Sequence, residues 1–279
     1  MMKELSQRFD STAQVSSLLG VGWKDRRIWR WASRLVAGLL LVVSLSPSDA
    51  RSQELSGSIT PYGWFTWMDL KATPDNGSGS TSMSLDLDDI LDALKFTFMV
   101  AGDVHYGRIG LLHDFIYTDL GFDGQLSGPF SSKVDVDVTM LMSTTALSYQ
   151  VYVEDGKLIE PFAGVRYVDM KTDITVKGGG PLGLSKSADV DVNWWDPVIG
   201  VRGRMPLTEK LSASGFVDIG GFGVGSEFTW EIFGGLDYAF TKRFSANAGF
   251  RYMSIDYDAS DADVKMEMYG PVLGMTVRF

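Results

Sequence analysis

YGPVLGMTVRF, residues 269 to 279, alternates along its whole length: Tyr269, Pro271, Leu273, Met275, Val277 and Phe279 fall on one face, Gly270, Val272, Gly274, Thr276 and Arg278 on the other. A period of two is a strand's signature. The apolar face has no later segment to cover it, so lipid is its expected cover. The reading is an all-β fold, a transmembrane antiparallel up-and-down β-barrel closing on its final strand. Tyr269, Leu273, Met275, Val277 and Phe279 are further expected to form the membrane-insertion signal, with the terminal aromatic read by the barrel-assembly machinery.

Working outward, period-two runs bounded by turn residues give ten candidate strands, eight being the alternative count. They lie near 57–68, 94–106, 108–120, 134–152, 158–174, 188–204, 211–220, 227–240, 244–257 and 264–279. Tight turns at 106–108, 154–157, 206–210 and 241–243 alternate with longer connections at 71–93, 121–133, 175–187 and 258–263, and a shorter one at 220–226. Short turns at one end and long loops at the other mark an outer-membrane barrel, and an even strand count returns both termini to the short-turn, periplasmic end. The competing fold is a secreted β-sandwich, but aromatics gather at strand ends (Phe240, Phe244, Tyr252, Phe279), as interfacial girdles do.

The first fifty residues read as an address. Seven Lys/Arg precede Leu35, an apolar run follows to Leu45, and Ser48 and Ala50 supply a small-residue cleavage site. Residues 1–50 are thus expected to be a cleaved signal peptide and 51–279 the barrel. The apolar run is about half the roughly 20 residues of a membrane helix. Arg26-Arg27 fits a twin-arginine signal only weakly, since that route carries folded cargo.

Residues 51–279 keep 18 Lys/Arg (25 − 7) and 31 Asp/Glu (35 − 4), a net −13. That acidity argues against nucleic acid, whose phosphates need cations. The absence of cysteine removes disulfides and thiolate chemistry. No cofactor and no metal are expected.

Thr60-Pro61-Tyr62-Gly63-Trp64, Trp194-Trp195-Asp196-Pro197, Gly200 to Arg204, Asp218 to Ser226, Gly249-Phe250-Arg251-Tyr252 and the Gly270-Pro271 run together resemble a group of uncharacterised proteobacterial outer-membrane proteins. They are of the opacity-protein and OmpA-like transmembrane barrel type, here without a peptidoglycan-binding domain. The resemblance spans 57–279 and implies the fold and the compartment. It implies no catalytic or ligand residues.

Alternation also assigns a set of charges to the barrel interior: Asp103, Asp114, Glu160, Asp196, Asp218, Glu231 and Asp237 against Arg166, Arg202, Arg204, Arg251 and Arg278. Charges in a narrow lumen must pair or be hydrated. They read either as a structural lattice filling the barrel or as the lining of a narrow ion or solute path, further constricted by Phe162, Trp194 and Phe233. A hydrolase needs a base, usually His, and only His105 and His113 exist. Neither has a serine two residues away on its own face, which leaves a cross-strand pairing as the enzymatic route.

In the loops, Asp86 to Asp92 reads as one amphipathic turn placing Leu87, Ile90, Leu91 and Leu94 on the rim. Asp256, Asp258, Asp261 and Asp263 read as solvated acids, and Gly178 to Pro181 as a loop tip. The expected role is structural or surface-interacting, in contact with outer-membrane lipid and lipopolysaccharide, as a monomer, with a mostly filled lumen.

Overall fold

The computed structural model describes residues 55–74, 79–126, 132–177, 185–259 and 262–279. The expected signal peptide (1–50), Gly178 to Pro181 and Asp261 lie outside them. In chain order the elements are β1 (Leu55–Trp64), β2 (Trp67–Pro74), β3 (Thr81–Leu85), α1 (Leu87–Ala93), β4 (Leu94–Tyr106), β5 (Ile109–Leu126), β6 (Ser132–Tyr149) and β7 (Tyr152–Glu154). Then follow β8 (Lys157–Lys177), β9 (Ser185–Pro206), β10 (Leu211–Gly221), β11 (Phe228–Ala239), β12 (Phe244–Ala259) and β13 (Ala262–Arg278).

Every pairing is antiparallel. Ten staves run β1-β4-β5-β6-β8-β9-β10-β11-β12-β13, and β13 closes on β1. Closure leaves no lipid-exposed edge in the staves that meet, the condition a spanning sheet must satisfy. The first stave does not end at Trp64. After Phe65-Thr66 it continues as β2 on the same partner, with Trp64 opposite Val272 and Trp67 opposite Tyr269, so the register is unbroken. Phe65 N–H donates to the Pro271 carbonyl at 2.9 Å. A Cβ on Gly270 would sit 1.8 Å from the Phe65 carbonyl oxygen. Only glycine permits that approach, which gives the closing motif its second residue.

Two small strands, β3 and β7, lie outside the ten expected. The first stave runs on as β2 into the expected 71–93 loop, where β3 pairs with it as a hairpin, and β7 forms a three-residue hairpin with the start of β8. The acidic turn is helix α1. Asp86 N–H donates to Asp89 at its N-terminus, and Asp88 and Asp89 sit favourably against the helix dipole. Ile90 and Ala93 pack on Leu120, while Leu91 points to solvent, contrary to expectation. Residues three apart share a helix face, so Ala93 takes the rim contact assigned to Leu91.

β5, β8, β9, β12 and β13 are longer than the sequence suggested. β8 and β9 have 21 and 22 residues, against the ~9–11 that cross a bilayer. Outward aromatics mark two levels: Tyr106, Tyr149, Tyr238, Phe240 and Phe244 near the short turns, and the pairs Tyr167–Trp195, Trp230–Tyr252 and Trp67–Tyr269 above. Phe244 and Tyr252 stand about 20 Å apart along the barrel axis at ~3.3 Å per residue and ~40° tilt, close to the ~25 Å apolar band of such barrels.

At the upper aromatic level the alternation keeps its parity and reverses its polarity. Below it Phe244, Ala246, Ala248 and Phe250 face out and Ser245, Asn247 and Arg251 face in. Above it Met253 and Ile255 are buried inside, and Asp256 and Asp258 lie on the outward parity. β6 does the same, with Met142, Met140 and Val134 buried and Asp137 and Asp135 on the opposite face. The long-loop half therefore has an apolar core of its own. That core holds Trp64, Met99, Ile116, Met140, Met142, Val168, Trp194, Met253, Ile255, Met266, Met268 and Val272. The expected polar lumen occupies only the short-turn half.

Candidate functional site

The interior charges fall into three groups and one outlier. Deepest, beneath the apolar core, Arg166 on β8 reaches across the barrel to Asp218 on β10 (Nη2 to Oδ1 2.9 Å, to Oδ2 3.0 Å) and to Glu231 on β11 (2.7 Å). Arg251 on β12 binds the other Glu231 oxygen and contacts Asp114 on β5 at 2.7 Å. Tyr62 on β1 ties the ring shut, accepting from Arg251 at 2.8 Å and donating to Asp114 at 2.6 Å. The Arg251 guanidinium also lies 4.8 Å from the centre of a Trp64 ring, a cation–π contact that joins the ionic layer to the apolar core. Arg166, Asp218, Glu231 and Arg251 are all buried. Each guanidinium must meet a carboxylate there, because an unpaired charge in so dry a place costs several kcal/mol.

Nearer the short turns, Glu160 on β8 accepts from Arg202 Nε at 2.7 Å and from Ser148 at 2.5 Å. His105 sits between two carboxylates, Nε2 2.7 Å from Glu160 and Nδ1 3.1 Å from Asp103. Both imidazole nitrogens must donate to satisfy both acceptors, which describes an imidazolium. Asp103 also accepts from Ser58 at 2.6 Å. Arg202 and His105 thus balance Asp103 and Glu160. Sequence reasoning left His105 outside the charge set, although its parity, the same as that of Asp103, placed it inside.

The third group, at the short-turn mouth, is looser. Arg204 bonds Ser212 at 3.3 Å, and neither Arg204 nor Arg278 has a carboxylate within 4.0 Å among the described residues. Asp237 is buried beside them, likewise without a cation at that distance.

Asp196 is the outlier. It is fully buried and stands opposite Arg166 in the β8–β9 register, yet it has no arginine within 4.0 Å among the described residues. Its carboxylate accepts from Trp194 Nε1 (2.8 Å), the Ser226 amide (2.7 Å) and the Ser226 hydroxyl (2.8 Å). It anchors the loop between β10 and β11, in which Phe222 and Gly223 take positive φ. The expected membership of Asp196 in the charge lattice is therefore corrected. The WWDP and DIGGFGVGS segments are two halves of one loop anchor.

A cavity of about 530 Å³ runs from the mouth, at Ser56, Arg204 and Arg278, up to Asp114, Glu231 and Val272. It stops where the apolar core begins. A second hollow lies on the outer, lipid-side face between Leu236, Ala248 and Leu273.

Neither histidine stands in a hydrolytic arrangement. Both nitrogens of His105 are committed to carboxylates. His113 faces outward and bonds Thr145 on the neighbouring stave at 2.9 Å, with no carboxylate within 4.0 Å of it among the described residues. The cross-strand pairing thus exists as His–Thr without an orienting acid. Among the described residues no cluster of His, Cys, Asp and Glu could hold a metal ion.

No family profile and no curated protein sequence matches the chain. Solved structures do. The outer-membrane protease OmpT of Escherichia coli aligns with a TM-score of 0.54 at 8% identity, covering 83% of this chain and 99% of that one. The translocator domain of the autotransporter NalP from Neisseria meningitidis gives 0.44 at 11%, covering 90% and 95%. Ail, the attachment invasion locus protein of Yersinia pestis, gives 0.30 at 14%, covering 81% and 99%. The similarity to OmpT is one of fold. The barrel is of the bacterial outer-membrane type, as the sequence resemblance implied.

Proposed function

We propose that this chain is an integral outer-membrane β-barrel with a structural or surface-interaction role and a lumen closed to ions. Its long-loop half stands outside the cell, and residues 1–50 are removed on export. The observation that carries this reading is the apolar core above the charge groups. Met253 and Val168 are 0% exposed, and Ile116 and Met268 1%. An ion leaving the cavity would have to shed its water and cross that layer, at a cost of several kcal/mol. That apolar core weighs against the alternative of a narrow channel.

The upper half, apolar inside and acidic outside, suits a barrel that continues from lipid into water. Lipopolysaccharide and outer-leaflet lipid are its expected neighbours, and a monomer its expected state. The assembly machinery would read Tyr269, Leu273, Met275, Val277 and Phe279 during insertion. No enzymatic role is proposed, because both histidines are occupied in ways that leave no activated nucleophile with an orienting acid.

Single-channel recording of the purified mature protein in planar bilayers tests the reading. The expected result is silence across voltages and salts. Reproducible steps whose ion selectivity changes in Arg251→Ala or Glu231→Ala would overturn it.

A further inference from the structure

The mouth of the cavity holds a charge arrangement that the barrel's own stability does not explain. Arg166, Arg202 and Arg251 each contact a carboxylate at hydrogen-bond distance. Arg204 and Arg278 do not, yet both line the cavity, and Arg204, Asp237 and Asp103 are the charged neighbours of Arg278. Asp103 is already shared by Ser58, His105 and Arg202. Both guanidiniums therefore keep donors free at the mouth, beside Asp237 and the terminal carboxylate of Phe279, which lines the same cavity. Two guanidiniums with free donors at one cavity mouth can hold an anionic group between them.

What lies inward of this group is apolar. Phe216 on β10 and Phe233 on β11 stack at 5.7 Å between centroids. Along their strands they separate Ser212 and Asp237 at the mouth from Asp218 and Glu231 above. Phe162 lines the same cavity. The phenyl rings stand where they do because glycines face them. A Cβ on Gly249 would lie 2.6 Å from the Phe233 ring, and one on Gly200 2.4 Å from that of Phe162. Cavities of roughly 300–1,000 Å³, mostly apolar with a few convergent polar groups, are the usual form of a small-molecule site.

We propose that this cavity is a binding site for a small monoanion with an aromatic or otherwise apolar body, entering from the short-turn side. Its anionic group bridges Arg204 and Arg278, as guanidinium forks hold carboxylates and phosphates. Its body packs against Phe162, Phe216 and Phe233. Asp237 limits the ligand to a single negative charge. The site opens only toward the short turns, so it takes up the ligand and does not pass it through the barrel.

Isothermal titration of the mature protein, folded in a non-ionic detergent, tests this with benzoate, benzamide and inorganic phosphate. Benzoate should bind at least tenfold more tightly than either of the others. Arg204→Gln with Arg278→Gln should weaken benzoate at least tenfold in protein that still shows a folded gel mobility. If that double variant does not fold, Asp237→Asn serves, and should tighten benzoate severalfold by removing the opposing charge. Absence of benzoate binding at millimolar concentration, equal binding of benzamide, phosphate binding as tight as benzoate, or unchanged affinity in the substituted proteins would each overturn the proposal.

Discussion

Arg166 and Glu231 meet at 2.7 Å, fully buried, from staves that are not neighbours. The contact spans the barrel and braces its walls from inside. Arg166 also holds Asp218, and Glu231 also holds Arg251, so one guanidinium links β8, β10 and β11, and one carboxylate extends the link to β12.

Removing Arg166 should therefore harm more than removing a surface charge. Arg166→Met leaves Asp218 with no cation within 4.0 Å among the described residues and Glu231 with one, and the expected loss is about 3–5 kcal/mol. Urea unfolding in detergent micelles measures it. The double-mutant cycle of Arg166→Met with Glu231→Gln should show a coupling of about 1 kcal/mol or more, since the two residues touch. Additive effects would mean that the contact contributes nothing of its own.

Met253→Ala removes a fully buried side chain from the apolar core, with an expected cost of about 2–5 kcal/mol. Leu91→Ala, on the exposed face of α1, should change stability by less than about 0.5 kcal/mol. The same unfolding assay compares them.

Gly270→Ala should block folding, because its Cβ would overlap the Phe65 carbonyl where the first and last staves close. Gly234→Ala is the control. It lies in β11 with nothing within 4 Å of its would-be Cβ and should fold normally. Heat-modifiable migration on a detergent gel separates the outcomes.

Asp196→Ala should release the β10–β11 loop while leaving the barrel closed. The Ser226 amide loses its acceptor, so its hydrogen exchange should accelerate at least tenfold while amides in β12 keep their protection. Equal protection of Ser226 in both proteins would remove the anchor role.

Phe279→Ala tests the insertion signal. Assembled protein in the outer membrane should fall severalfold in cells while folding of purified protein into detergent is unchanged. A matching defect in purified protein would assign Phe279 to stability instead.

Much of this architecture is written in the period of two. The face of each residue follows from its parity, so the alternation in 244–252 and 269–279 was enough to put Arg251 and Arg278 inside and Phe250 and Leu273 outside. The ten staves, the closure and the inward set of charges are legible for the same reason. Who meets whom across the barrel is not. Arg166 lies 52 residues from Asp218 and 65 from Glu231, and their meeting depends on stave tilt and register, which no single strand encodes. Asp196 has the right parity and stands opposite Arg166 in register, yet its carboxylate is taken by Trp194 and Ser226 while Arg166 reaches to Asp218 and Glu231. The upper core was obscured because lipid gives way to water at the aromatic level: the inward parity stays the same, but the side that must be apolar changes. The sequence by itself determined which face each residue takes, because side chains must alternate along a pleated strand. Only the closed barrel decided the depth and partners of each residue, because both are set by how ten staves stagger around a common axis.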